Sequence, residues 1–193
     1  MEERNMREIL DGWREQNQSI IDAVNAISRG QLLWKPAPDQ RSIGGIARHI
    51  AATRLGYFSE FGRPGVEDYL AQLPWKEMPD GSQDWDDADI PIEDDPAALS
   101  AWLSDTWDYA EKILESLSVE KLFNTFPWPT EKGTRQVPVQ WTIFRMLHHD
   151  FHHGGEISLL LGLQGIEGSD LQTFPTHFEK YALAEPEADS SAG

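Results

Sequence analysis

Four stretches of this chain repeat apolar residues at intervals of three, four or seven, and prolines and glycines break the pattern between them. That spacing marks one buried face of an α-helix, so the chain is constrained to be mostly helical. The first stretch runs from about Met6 to Ser28, with Ile9, Trp13, Ile20, Val24 and Ile27 on its stripe and Gly30 as its expected stop. Ser42 is a natural cap for the second, which reaches about Phe61 through Ile43, Ile46, Ile50 and Tyr57. Asp95 and Pro96 open the third, whose stripe is Leu99, Leu103, Thr106, Ala110, Ile113 and Leu117. The fourth covers about Pro138 to Leu163. Helices of about 20 residues, each about 30 Å long and joined by long connections, predict an all-α four-helix bundle.

The connections differ in character. LLWKPAPDQ, with Pro36 and Pro38, is a turn-rich link, and Trp34 beside it is expected to plug one end of the bundle. Residues 67–95 hold eleven acidic side chains against one basic residue, Lys76, and are interrupted by Trp75 and Trp85. This reads as a long solvated connection with little regular structure, folded against the domain by its two tryptophans. Loops of that length are often lids, so gating is the alternative. FPWPTEKGTRQVP suggests a short hairpin. A short helix is expected around Asp170–Tyr181, then a disordered polar tail. The expected organisation is one domain over 1–181, with a long acidic connection at 63–95 and a tail at 182–193.

Composition removes several function classes. A formal charge of −17 argues against nucleic acid and anionic membranes as partners, because both require clustered Lys and Arg. No apolar run approaches the roughly 20 residues of a spanning helix, and MEERNMREIL lacks an apolar signal core. Without cysteine there are no disulfides, thiolate ligands or Cys nucleophile. A soluble cytoplasmic protein is the expectation.

The chemistry lies in the histidines. Five of six fall at His49 and in the run LHHDFHHGGEI. Histidines four apart on a helix point the same way, and the run contains two such pairs, His148/His152 and His149/His153. An H-x-x-x-H pair supplies two nitrogen ligands from one rigid rod, and a facing helix of a bundle supplies a third. His149 and His153 share a stripe with Met146, Ile157 and Leu160, which favours them as the inward pair. A second stripe, Phe144, Leu147 and Phe151, implies a fourth helix buried on two sides. His49 stands at the edge of the second helix's buried face, where a lone histidine is more often a hydrogen-bonded core residue than a ligand.

SIGGIARHI and HDFHHGGEISLLLGLQGI resemble the two signature regions of the DinB/YfiT-like superfamily of metalloenzymes. The resemblance implies a four-helix bundle and a divalent metal (Zn, Ni or Fe) held by His49, His149 and His153. Where the family usually places Arg-Gly-Gln-Ile after its third histidine, this chain has Gly154, Gly155, Glu156 and Ile157. His148 and His152 match no ligand position. Members of the superfamily include transferases and isomerases that use a low-molecular-weight thiol, and frequent dimers.

The expected activity is therefore a metal-dependent transferase, resembling a thiol S-transferase, or a hydrolase acting on a small molecule. Glu156 is a candidate general base and Asp150 a weaker one. Reading them as helix-surface carboxylates or as partners of histidine N–H groups is favoured for Asp150 and about level for Glu156. The alternatives are a stress-response protein that holds metal without turnover and a metal-free homodimeric bundle. Trp13, Trp102, Trp107 and Trp141 read as core or interface residues, and Gly154-Gly155 as a point of close approach by a helix or ligand.

Overall fold

Each of the four apolar stripes becomes a helix whose ends follow local chemistry. The computed structural model describes residues 6–59, 61, 66–71, 73–78, 83–128, 130 and 132–166. The helix expected around Asp170–Tyr181 and the tail lie outside these residues. The first stretch divides at Leu10 into α1 (Met6–Ile9) and α2 (Asp11–Ala26). Gly30 does not stop it. Ile27 turns extended, and Ser28 starts a short α3 (Arg29–Leu33) through a reciprocal capping box with Gln31. Two satisfied backbone donors outweigh the weak stop signal of one glycine. Trp34 stays 38% exposed.

Ser42 Oγ accepts from the Gly45 N–H at 3.2 Å, and α4 (Ile43–Ser59) follows it. Most of α4 is buried, including Ile43, Ile46, Ile50, Leu55 and Phe58, which marks it as the most enclosed helix. After α5 (Val66–Leu70) come two paired two-residue strands, β1 (Lys76–Glu77) and β2 (Gln83–Asp84), and a 3-10 turn at Asp87–Asp89. Asp95 then accepts from the N–H groups of Ala97 and Ala98 and opens α6 (Pro96–Glu115). The expected hairpin forms as antiparallel β3 (Thr125–Trp128) and β4 (Arg135–Pro138), leading into α7 (Val139–Leu163).

Helices α2, α4, α6 and α7 form the bundle. Both α2 and α4 pack against α6 and α7, which gives the order α2, α6, α4, α7 around the core and places α4 beside α7. Trp13 anchors the centre, with its ring 5.3 Å from Trp107 and 6.1 Å from Phe58. Trp102 is also buried, whereas Trp141 is half exposed and meets Trp128. Among the described residues no helix is long and apolar enough to cross a membrane.

The acidic connection is held down as the tryptophans suggested. Trp75 and Trp85 meet edge to face at 5.0 Å, and Trp85 lies so close to α4 that a Cβ on Gly56 would sit 2.6 Å from its ring. Arginines complete the attachment. Arg29 and Arg48 bond Asp94, and Arg41 lies 3.5 Å from Asp87.

Two readings of α7 change. Phe144 is 68% exposed and Phe151 44%, so two residues of the second apolar stripe face solvent in the single chain, while Leu147 packs against the core. The two glycines also part company. A Cβ on Gly154 would meet Gln16 Nε2 at 2.6 Å and Ile20 at 3.4 Å, so α2 does approach closely there, while Gly155 has nothing within 4 Å. Gly155→Ala therefore gains helix propensity without a clash. It should stabilise the protein by about 1 kcal/mol, read as a raised urea midpoint with unchanged slope.

Candidate metal centre

The adjacency of α4 and α7 brings His49 against the inward pair of the fourth helix. His49 lies 4.9 Å from His149 and 4.8 Å from His153 between ring centroids, and His149 lies 4.4 Å from His153. One ligand atom from each falls within 4.8 Å of the others. The periodicity of α7 explains the choice of pair: Met146, Asp150, His153, Ile157 and Leu160 are all buried.

Each of the three rings has a carboxylate at its Nδ1. His49 Nδ1 donates to Asp87 Oδ2 at 2.8 Å, His149 Nδ1 faces Asp150 Oδ1 at 3.3 Å, and His153 Nδ1 donates to Glu156 Oε2 at 2.6 Å. An ionised carboxylate only accepts, so each neutral ring carries its proton on Nδ1 and presents a bare Nε2 lone pair. Yet His49 Nε2 and His149 Nε2 stand 3.1 Å apart. Two lone pairs at that distance repel unless a proton or a metal ion lies between them. Tetrahedral Zn²⁺ with nitrogen bonds near 2.0–2.1 Å separates its ligands by about 3.4 Å, close to the spacing seen. The carboxylate–imidazole pairing is also the arrangement that orients metal-binding histidines. The donor set fits a divalent ion.

The electrostatics agree. Burial pushes the His153 pKa down, and the neighbouring His149 and His49 add to this against the opposing pull of Glu156, leaving it at about 4. His153 is thus a neutral donor at neutral pH. Burial raises the Asp87 carboxyl, but its hydrogen bond to His49, the nearby Arg41 and the Trp85 N–H more than offset this and hold it below the usual carboxylate range. Asp150 is also raised by full burial and brought below its ordinary value by Arg54, His149 and Trp13. Its Oδ2 accepts from Arg54 Nε at 2.9 Å and Trp13 Nε1 at 2.8 Å, all inside the core. Asp150 is therefore no general base. It ties one metal-facing ring to the packing of three helices.

His148 and His152 are exposed on α7, and the His152 ring meets that of His153 at 5.0 Å between centroids. Glu156 lies between the two sets and also lines a cleft of about 360 Å³ with Arg41, Ile46, Leu159, Leu160 and Leu163. The cleft thus opens beside the carboxylates of His153 and, through Arg41, of His49.

A family model of the DinB superfamily matches residues 13–157. The chain belongs to the DinB superfamily. That span covers all three histidines and the four bundle helices up to Ile157. A DinB-like protein from Bacillus cereus ATCC 10987 has a similar fold, with a TM-score of 0.61 at 17% identity over 83% of this chain and 93% of its own. A conserved protein from Enterococcus faecalis gives 0.62 at 14% identity over 81% and 95%. No curated protein matches. At these identities the solved structures support the DinB fold alone.

Three site residues escaped the sequence reading. Asp87 is one of eleven acidic residues in its segment, with no pattern to single it out. Arg41 stands outside any helix. Arg54 did carry a signal, since it follows Ile46 and Ile50 at intervals of eight and four on the buried stripe of α4. Asp87→Asn keeps the shape but weakens the acceptor at His49 Nδ1. It should lower metal affinity about 10–100-fold in competition with a chelator, and unchanged affinity would show that Asp87 does not orient the ring.

Proposed function

We propose that this protein is a metal-dependent enzyme acting on a small molecule, as a transferase resembling thiol S-transferases or as a hydrolase. Its metal would be Zn²⁺, Ni²⁺ or Fe²⁺ held by Nε2 of His49, His149 and His153. The observation that carries the reading is the convergence of the three rings, with one ligand atom from each within 4.8 Å of the others and a carboxylate beside each Nδ1. A divalent ion bound to three neutral imidazoles supplies a Lewis acid that lowers the pKa of a coordinated water or thiol.

The chain's own residues perform the rest. Asp87 and Asp150 hold two rings in position, and Arg54 and Trp13 keep Asp150 from moving. Glu156 is the carboxylate nearest His153 that also reaches the cleft, so it is the group placed to take a proton from an entering thiol or water. The cleft walls are apolar at Ile46, Leu159 and Leu160 and carry a cation at Arg41, which suits a small molecule with an apolar body and an anionic group. A cytoplasmic location is consistent with use of a low-molecular-weight thiol.

The test is metal-loaded protein with a panel of thiols and electrophiles, and a parallel panel of esters and amides. Turnover in one panel, lost in His153→Ala and reduced in Glu156→Gln, supports the reading. Full metal loading without turnover or metal-dependent thiol binding would leave a non-catalytic protein. For that rival the exposed Phe144 and Phe151 of α7 offer a surface for a second copy.

A further inference from the structure

We propose that Gly56 and Trp85 are positioning residues for His49, acting through Asp87. The glycine leaves a notch in α4 for the Trp85 indole, and the seated indole holds the carboxylate that orients the ring. Gly56 follows His49 by seven residues, about two turns further along the same side of α4. A Cβ on Gly56 would stand 2.6 Å from Trp85 Cη2 and 3.1 Å from Cζ3, so the ring fits only where α4 has no side chain. Trp75 also meets the indole edge to face at 5.0 Å. The indole N–H donates to Asp87 Oδ1 at 3.1 Å, and Asp87 Oδ2 accepts from His49 Nδ1 at 2.8 Å. The two oxygens of one carboxylate thus join the notch to the histidine.

An indole is a single rigid plane. Pushing its benzo edge off α4 carries Nε1 with it, and with it the bond to Asp87. Asp87 depends on that bond because it begins a 3-10 turn of three residues, Asp87–Asp89, with no longer helix to hold it. Beyond the turn the segment is pinned independently. Ile90 is buried, Arg48 donates to the Ile92 carbonyl at 2.8 Å, and Arg29 donates to the Asp94 carbonyl at 2.9 Å. Displacing Trp85 therefore shifts Asp87 without detaching the chain that follows. Arg41, half exposed and 3.5 Å from Asp87 Oδ2, is the cation toward which a released carboxylate swings. His149 and His153 take their carboxylates from α7 itself, so the effect is confined to His49. The linkage bears on the proposed metal centre but requires neither an ion nor turnover, and it stands or falls separately from both.

The experiment compares the wild type with Gly56→Ala, Trp85→Ala and the double variant, all as full, tag-free chains. Nitrogen-15 spectra of the metal-free wild type should show His49 as the Nδ1–H tautomer with a slowly exchanging proton. Gly56→Ala should remove that slow proton and shift the His49 nitrogens, while those of His149 and His153 keep their positions. Zn²⁺ affinity, read by competition with a chelator, should fall about 10–100-fold, the range for losing the carboxylate partner of a ligand histidine. The double variant should bind no more weakly than Trp85→Ala alone, because the added Cβ then meets no ring. Alanine is the better helix former, so unchanged helix content by circular dichroism separates this loss from a weakened α4. An unchanged His49 spectrum in Gly56→Ala, or losses that add in the double variant, would overturn the proposal. The His49 change in a protein that takes up no Zn²⁺ would uphold the linkage and remove the metal centre instead.

Discussion

Asp150→Ala should destabilise the fold by about 3–5 kcal/mol, the range for removing one partner of a buried ion pair. Arg54 and Asp150 are both completely buried, and the carboxylate receives the guanidinium, the Trp13 indole N–H and the His149 ring. Without it, a guanidinium is left in the core between α4, α6 and α7, retaining among the described residues only the Leu103 carbonyl at 3.3 Å and the Trp107 ring face. The Trp13 N–H is orphaned as well. Asp150→Asn separates the causes, because it keeps the volume and an acceptor oxygen while removing the charge. It should fall between the alanine variant and the wild type in a urea titration. A loss below about 0.5 kcal/mol for Asp150→Ala, the size of an ordinary surface change, would mean that Arg54 reaches solvent or another acceptor, and the buried-pair account would fail.

The second large effect is metal-linked stability. An ion that binds only the folded protein stabilises it by about 4 kcal/mol at a thousand times its Kd. For a chain of this size that corresponds to a rise in Tm of about 8–16 °C. The folded site differs from the unfolded chain because one ligand atom from each ring is brought together by α4 and α7 and the rings are oriented by carboxylates from the 3-10 turn, Asp87, and from α7, Asp150 and Glu156. His153→Ala removes the most buried of the three rings and should abolish the rise, leaving the metal-free Tm changed by much less. A full rise in the variant would place the stabilising ion elsewhere.

The bundle was legible because each long helix carries its own amphipathic period, and two of them, α4 and α6, also carry a start signal at Ser42 and Asp95. The break at Leu10 and the capping box at Ser28 were not, since both depend on local hydrogen bonds that periodicity does not register. Of the site, the His149/His153 spacing is a local property of α7 and could be read directly. Asp150 and Glu156 are equally local, one and three residues from the rings they meet, whereas Asp87 and the support of Asp150 by Arg54 are tertiary properties. Asp87 meets His49 from 38 residues away, and Arg54 meets Asp150 from 96. The exposed stripe of Phe144 and Phe151 marks the limit of reading burial from apolar spacing, which identifies a face but not what covers it.

The most direct test of the three-histidine centre is elemental analysis of tag-free protein prepared without chelator, beside His49→Ala and His153→Ala. The account predicts about one tightly held Zn, Ni or Fe per chain after dialysis, falling to background in both variants. A folded wild type that is metal-free and takes up neither added Zn²⁺ nor Ni²⁺ would contradict it.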